Sequence, residues 1–115
     1  MSKEPKLPAD TRLLIYAMGV FQKYDLAKGW LAKDRNGLNV CTYNKRAVSF
    51  CAVGALCRAV SDLGLTAADK HKAIARFAKA ISRSIIPEWN DRPRRTKAEV
   101  IAAFKKAALS TVGDK

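Results

Sequence analysis

Three residue types in this chain could act together as a catalytic set: a thiol, an imidazole, and an amide or carboxylate. Cys51, His71 and Asn90 or Asp91 supply them, as a thiol nucleophile, its base and an orienting group would require. The neighbourhood of Cys51 argues against that use. It lies in "SFCAVGALC", a stretch expected about two turns inside an apolar helix, where a thiol behaves as a small hydrophobe and its pKa rises. A reactive thiolate needs accessible, electropositive surroundings. Cys57 also occupies a helical position suited to packing, and Cys41, at the end of an expected hairpin, is the cysteine best placed to meet solvent. His71 falls at the edge of an apolar stripe, as a surface or half-buried histidine does. The expectation is a protein that is not an enzyme, with a cysteine-dependent activity at Cys51 as the remotest alternative.

The three cysteines contain no C-x-x-C pair, and the one histidine is distant in sequence, so neither a metal nor another cofactor is expected. An odd cysteine count with no secretory pattern ahead of it reads as a cytoplasmic chain with reduced thiols. Charged or polar residues interrupt every apolar run before it reaches the length of a membrane span.

The second chemistry open to the chain is recognition of anions. It carries 22 Lys and Arg against 10 Asp and Glu, a formal charge of +12. The excess is +3 over residues 1–40, +2 over 41–64 and +7 over 65–115, so the cationic weight lies in the C-terminal half. Such a field attracts nucleic acid, an anionic membrane surface or an acidic protein face. Two groups carry it. Lys72, Arg76, Lys79 and Arg83 recur at helical spacing and share one face. The stretch "WNDRPRRTKAEV" then sets Arg92, Arg94 and Arg95 just ahead of a helix whose N-terminal dipole attracts anions, with Lys97 in its first turn and Lys105 and Lys106 further on.

Most of that stretch also has a purely architectural reading. Trp89 is expected to pack on the surface around Gly54, Asn90 and Asp91 to bond turn amides, and Thr96 with Glu99 to form a capping box. The arginines are what such a cap leaves over. Binding through them would be dominated by phosphate contacts and would weaken steeply with salt. Neither a helix-turn-helix signature, a zinc finger nor an exposed aromatic series is evident, although the third helix could enter a groove. A well-solvated cationic surface with no partner is the bland alternative.

The elements that must position these groups follow from periodicity and caps. Residues 1–9 read as a flexible arm, 10–110 as a single helical domain and 111–115 as a short tail. The first helix runs from Asp10, its expected cap, to about Tyr24. A small β-hairpin over about 30–41 pairs Trp30–Lys33 with Leu38–Cys41 around Asn36-Gly37. A central apolar helix over about 44–63 is capped by Asn44 and closed by Gly64, with Trp30 or Trp89 expected against Gly54. A third helix runs from Thr66, which with Asp69 imitates a capping box, to about Ile85, Pro87 stops it, and "EWND" turns into a fourth ending near Leu109. The fold class is mainly α, a compact four-helix domain.

Gly29-Trp30, then Cys51-Ala52-Val53-Gly54-Ala55-Leu56, then Trp89-Asn90-Asp91, Pro93, Arg95-Thr96 and Val100 occur in that order. This set resembles an uncharacterised family of small bacterial and phage proteins with a G-W, C-x-x-G-A-L and W-N-D-x-P-x-R-T pattern. The resemblance implies one domain over nearly the whole chain and a bacterial or phage setting, with host cytoplasm as the location if phage-encoded. It implies no activity or cofactor, and this chain is unusually basic beside it.

Three functions remain open. The first is a small basic protein contacting nucleic acid or an acidic macromolecule through a C-terminal cationic face. The second is a phage-type accessory protein that inhibits or redirects a host protein by occupying an acidic surface. The third is the cysteine-dependent enzyme. An apolar patch around Trp30 could also serve a homodimer.

Overall fold

The computed structural model describes residues 7–110, so the expected tail and all but Leu7, Pro8 and Ala9 of the expected arm lie outside the described residues. Helix α1 (Ala9–Lys23) forms where Leu13, Leu14, Ala17, Val20 and Phe21 recur on one face, and all five are buried. Pro8 stands at its N-cap instead of Asp10, which lies in the first turn, its carboxylate engaged by Arg76. The chain then enters a three-stranded sheet in the order β1 (Asp25–Leu26), β3 (Ser49–Phe50), β2 (Ala32–Lys33). β3 runs parallel to β1, with Leu26 opposite Phe50, and antiparallel to β2, with Ala32 opposite the same Phe50.

The expected hairpin is present in reduced form, with the Asp34 amide donating to the Leu38 carbonyl at 2.9 Å and the Val40 amide to the Ala32 carbonyl at 3.0 Å. Asp34 Oδ1 accepts the Asn36 and Leu38 amides, Gly37 takes φ +81°, and the Leu38–Cys41 strand shrinks to a bridge between Lys33 and Asn39. β2 finds its longer partner in β3. That pairing also delays the next helix, because Asn44 closes a tight turn of its own, accepting the Arg46 amide, and residues 49–50 are drawn into the sheet. Helix α2 (Ala52–Leu63) therefore has its N-cap at Cys51, seven residues after the expected Asn44, and ends at Gly64 in the left-handed conformation, as expected.

Helix α3 (Ala67–Ile81) opens on the Thr66–Asp69 capping box and stops at Ser82, whose φ of +56° closes it four residues short of the expected end. Pro87 does not merely stop a helix. It sits in the first turn of a short α4 (Ile86–Asn90), where a missing N–H costs nothing, so the described residues form five helices and not four. Helix α5 (Lys97–Leu109) opens on the Thr96–Glu99 capping box. In both boxes the carboxylate is held below the ordinary range, Asp69 chiefly by the Thr66 hydroxyl and Glu99 chiefly by the Thr96 amide. A depressed carboxylate stabilises the fold above the ordinary carboxylate pKa, and that contribution fades as pH falls through the lowered value.

The long helices share one core. α1, and not the expected α2, packs extensively on all three other long helices. Phe77 and Phe104 meet at 4.4 Å between ring centres, Phe21 joins Phe104 at 5.9 Å, and Trp89 stands edge-on to Phe77 at 5.6 Å. Trp89 thus packs on α3, not against Gly54. Neither does Trp30 cover that glycine: it is half exposed, and the close neighbour of Gly54 is a peptide carbonyl. A Cβ at Gly54 would lie 1.9 Å from the Leu31 oxygen, which already accepts the Cys51 amide at 3.1 Å.

The interior glycines make a paired prediction. Gly54→Ala is expected to cost about 3 kcal/mol, because two backbone segments must separate. Gly19→Ala in α1, where a Cβ meets nothing within 4 Å, is expected instead to gain about 0.5–1 kcal/mol. Urea unfolding of the two variants beside the wild type checks the opposite signs.

Candidate anion-binding surface

The four cations of the α3 stripe have unequal environments. Arg76 is taken into the fold. Its Nη1 pairs with Asp10 Oδ2 at 3.1 Å and donates to the Thr11 hydroxyl, and its Nη2 donates to the carbonyls of Ala107 at 2.8 Å and Ser110 at 2.6 Å. The guanidinium therefore joins the first turn of α1 to the last carbonyls of α5, where a cation also meets the negative end of the helix dipole. Lys72, Lys79 and Arg83 are exposed. Arg83 makes no side-chain hydrogen bond or ion pair among the described residues.

The loop into α5 divides in the same way. Arg95 lies over the Trp89 ring, its guanidinium carbon 3.9 Å from the ring centre, donates to the Trp89 carbonyl at 3.0 Å and pairs with Glu99 at 3.5 Å. Lys97 reaches back to the Tyr24 carbonyl at 3.4 Å and to Asp25 at 3.5 Å. Arg92 and Arg94 are exposed, and among the described residues their side chains have no partner. Lys28 fixes the loop's backbone, donating to the carbonyls of Arg92 at 2.6 Å and Pro93 at 3.1 Å.

Asn90 is fully buried and does more than close a turn. Its Oδ1 accepts the amide of Ala52 at 2.9 Å, and its Nδ2 donates to the Ala27 carbonyl at 3.0 Å and to Asp91 at 2.9 Å. One side chain thereby ties α4 to the start of α2 and to the chain leaving β1. In place of the expected turn amides, Asn90 bonds backbone groups distant in sequence, and Asp91 accepts from Asn90.

A second group of cations escaped the sequence reading. Arg35, Lys45 and Arg46 line a cleft of about 410 Å³ beside the Asp34 turn, and their side chains have no hydrogen-bond or ion-pair partner among the described residues. Exposed Trp30, Leu38 and Tyr43 belong to the same 29–48 segment. The two tight turns at Asp34 and Asn44 were the available signal, hidden by a modest local charge.

Cys51 is not inside a helix but at its N-cap, where its sulfur accepts the Gly54 amide at 3.2 Å. Burial pushes the thiol pKa up, outweighing that hydrogen bond. Cys41 is exposed and Cys57 partly covered, with the Lys70 ammonium 3.8 Å from its sulfur. Alkylation followed by peptide mass mapping is expected to modify Cys41 first and Cys51 only in denaturant. Early labelling of Cys51 would contradict its packing. His71 is exposed on α3, and no hydrogen bond joins it to Cys51. Among the described residues no three His, Cys, Asp or Glu side chains are grouped to hold a metal ion, and no helix is long and apolar enough to cross a membrane.

No curated protein and no solved structure matches the chain. A family model does, over residues 6–109, which takes in the whole core, the Gly54 contact, the Asn90 tie and both capping boxes. The chain belongs to that family, described as a family of unknown function, DUF6197.

Proposed function

We propose that this protein binds nucleic acid through its exposed cations and performs no chemistry of its own. One observation carries the reading: among the described residues every carboxylate but the exposed Glu88 is engaged within the fold, while many cations are not. Among the described residues Asp10, Asp25, Asp34, Asp62, Asp69, Asp91 and Glu99 each accept a hydrogen bond or ion pair within the fold. Among the described residues the side chains of Arg35, Lys45, Arg46, Arg83, Arg92 and Arg94 have no such partner, which leaves a strongly positive field facing outward. Cations presented from several segments fit a flexible polyanion whose charges repeat along its length.

The experiment is a salt titration of binding to a labelled single strand and a duplex by fluorescence anisotropy. Binding is expected to weaken with salt at a log–log slope of about −0.7 to −0.9 per phosphate contacted. Reversing Arg83, Arg92 and Arg94 together should flatten that slope without changing the melting temperature. No binding at low salt would overturn the reading.

The exposed Trp30, Leu38 and Tyr43 near the Arg35, Lys45 and Arg46 cleft support a second reading, since apolar anchors with an arginine rim suit a protein partner. That reading is an accessory protein, of phage or bacterial origin and acting in the cytoplasm, that occupies an acidic surface of a host protein. Trp30→Ala would weaken it and leave the salt titration unchanged.

A further inference from the structure

Gly19 occupies the interior of α1, where glycine lowers stability relative to alanine, and nothing packs on it: a Cβ there would meet no atom within 4 Å. The space before it is a cleft of about 310 Å³ between α1 and α2, bounded by Tyr16, Lys23 and Tyr24 on one side and Arg58 and Asp62 on the other. Its size is at the small end of small-molecule sites, enough for a single ring system.

The walls have a definite chemistry. The Tyr16 hydroxyl donates to Asp62, and both Asp62 oxygens also accept Arg58 Nε, at 3.2 and 3.1 Å, so the tyrosine ring is a fixed aromatic wall. Arg58 Nη1 is held by the Thr42 carbonyl at 3.0 Å, while Nη2 has no partner among the described residues. At the lip the Lys23 ammonium lies 5.4 Å from the centre of the Tyr24 ring. Lys97, which follows the arginine loop, contacts the Tyr24 carbonyl at 3.4 Å, so the cleft opens beside the cationic surface. An aromatic wall, a vacant floor and an ammonium at the rim suit a flat ring that carries an anion.

We infer that this cleft receives one nucleotide of a single strand, the base over Gly19 against Tyr16 and its phosphate at Lys23. The inference rests on the nucleic-acid reading and narrows it to strands whose bases are unpaired. Base stacking on an aromatic side chain strengthens single-strand binding about 5- to 150-fold per base.

The test uses Gly19→Leu, which fills the cleft with a residue that helices favour, and three labelled probes of equal length: a thymidine single strand, the same strand with abasic sites throughout, and a duplex. Wild type is expected to bind the thymidine strand about ten-fold more tightly than the abasic one. Gly19→Leu should bind both equally, with duplex affinity unchanged and a melting temperature no lower than that of wild type. Equal binding of the thymidine and abasic strands by wild type, or an undiminished difference in Gly19→Leu, would overturn the cleft assignment while leaving general nucleic-acid binding intact. Failure of wild type to bind any of the three probes at low salt would overturn both.

Discussion

Arg76→Ala is expected to destabilise the protein by about 3 to 5 kcal/mol, the cost of removing one member of a buried charge pair. The side chains of Arg76 and Asp10 are only 14% and 10% exposed, so Asp10 would be left as a charge with little water to solvate it. The Thr11 hydroxyl and the Ser110 carbonyl would lose the Arg76 donor at the same time, while the Ala107 carbonyl would keep only its bonds from Ser110. A domain of this size should lose roughly 10 to 20 °C in melting temperature. Arg76→Lys keeps the charge but not the planar fork that reaches α1 and α5 together, and should fall between. Urea and thermal unfolding of both variants decide the matter. Equal stability of wild type and Arg76→Ala would mean that the clamp contributes nothing. Reversing Arg76 along with its neighbours would therefore test folding and not binding.

Asn90→Ala is expected to cost about 2 to 5 kcal/mol. It leaves the Ala52 amide and the Ala27 carbonyl without partners, and each buried unsatisfied group costs about 1 to 3 kcal/mol. Asn90→Asp is a sharper probe. It retains an acceptor for Ala52 but removes the donor to Ala27 and sets a second carboxylate beside Asp91. Burial and that like charge would raise the pKa of the new carboxyl, which in its protonated form can again donate. The stability gap to wild type should therefore narrow as pH falls, read from urea unfolding at pH 7 and pH 5. A gap that widens over that interval would rule out this account.

Local signals carried much of the architecture. Both capping boxes, the apolar face of α1 and the Gly64 stop depend on residues within a few positions of one another, and all were legible. The start of α2 was not, because Asn44 resembles a cap and Val48 and Cys51 continue the apolar spacing of the helix, while only pairing with β1 and β2 makes part of this stretch a strand. Arg76 was misread for the same reason. Helical spacing places it correctly beside Lys72 and Lys79, yet says nothing of the first turn of α1 and the last turn of α5 meeting there. The cleft of Arg35, Lys45 and Arg46 is likewise made by two turns separated in sequence.

The start of α2 has a consequence for how the native state opens. Its earliest amides are satisfied from three places: Cys51 by the Leu31 carbonyl, Ala52 by the Asn90 side chain 38 residues away, and Gly54 by the sulfur of Cys51. Helix ends commonly fray because their outer hydrogen bonds are local and exchange freely with water. This end cannot open without releasing both the 29–33 segment and α4. Its amides should therefore exchange with solvent deuterium at the rate of global unfolding, making the first turn of α2 as slow to exchange as the centre of the core.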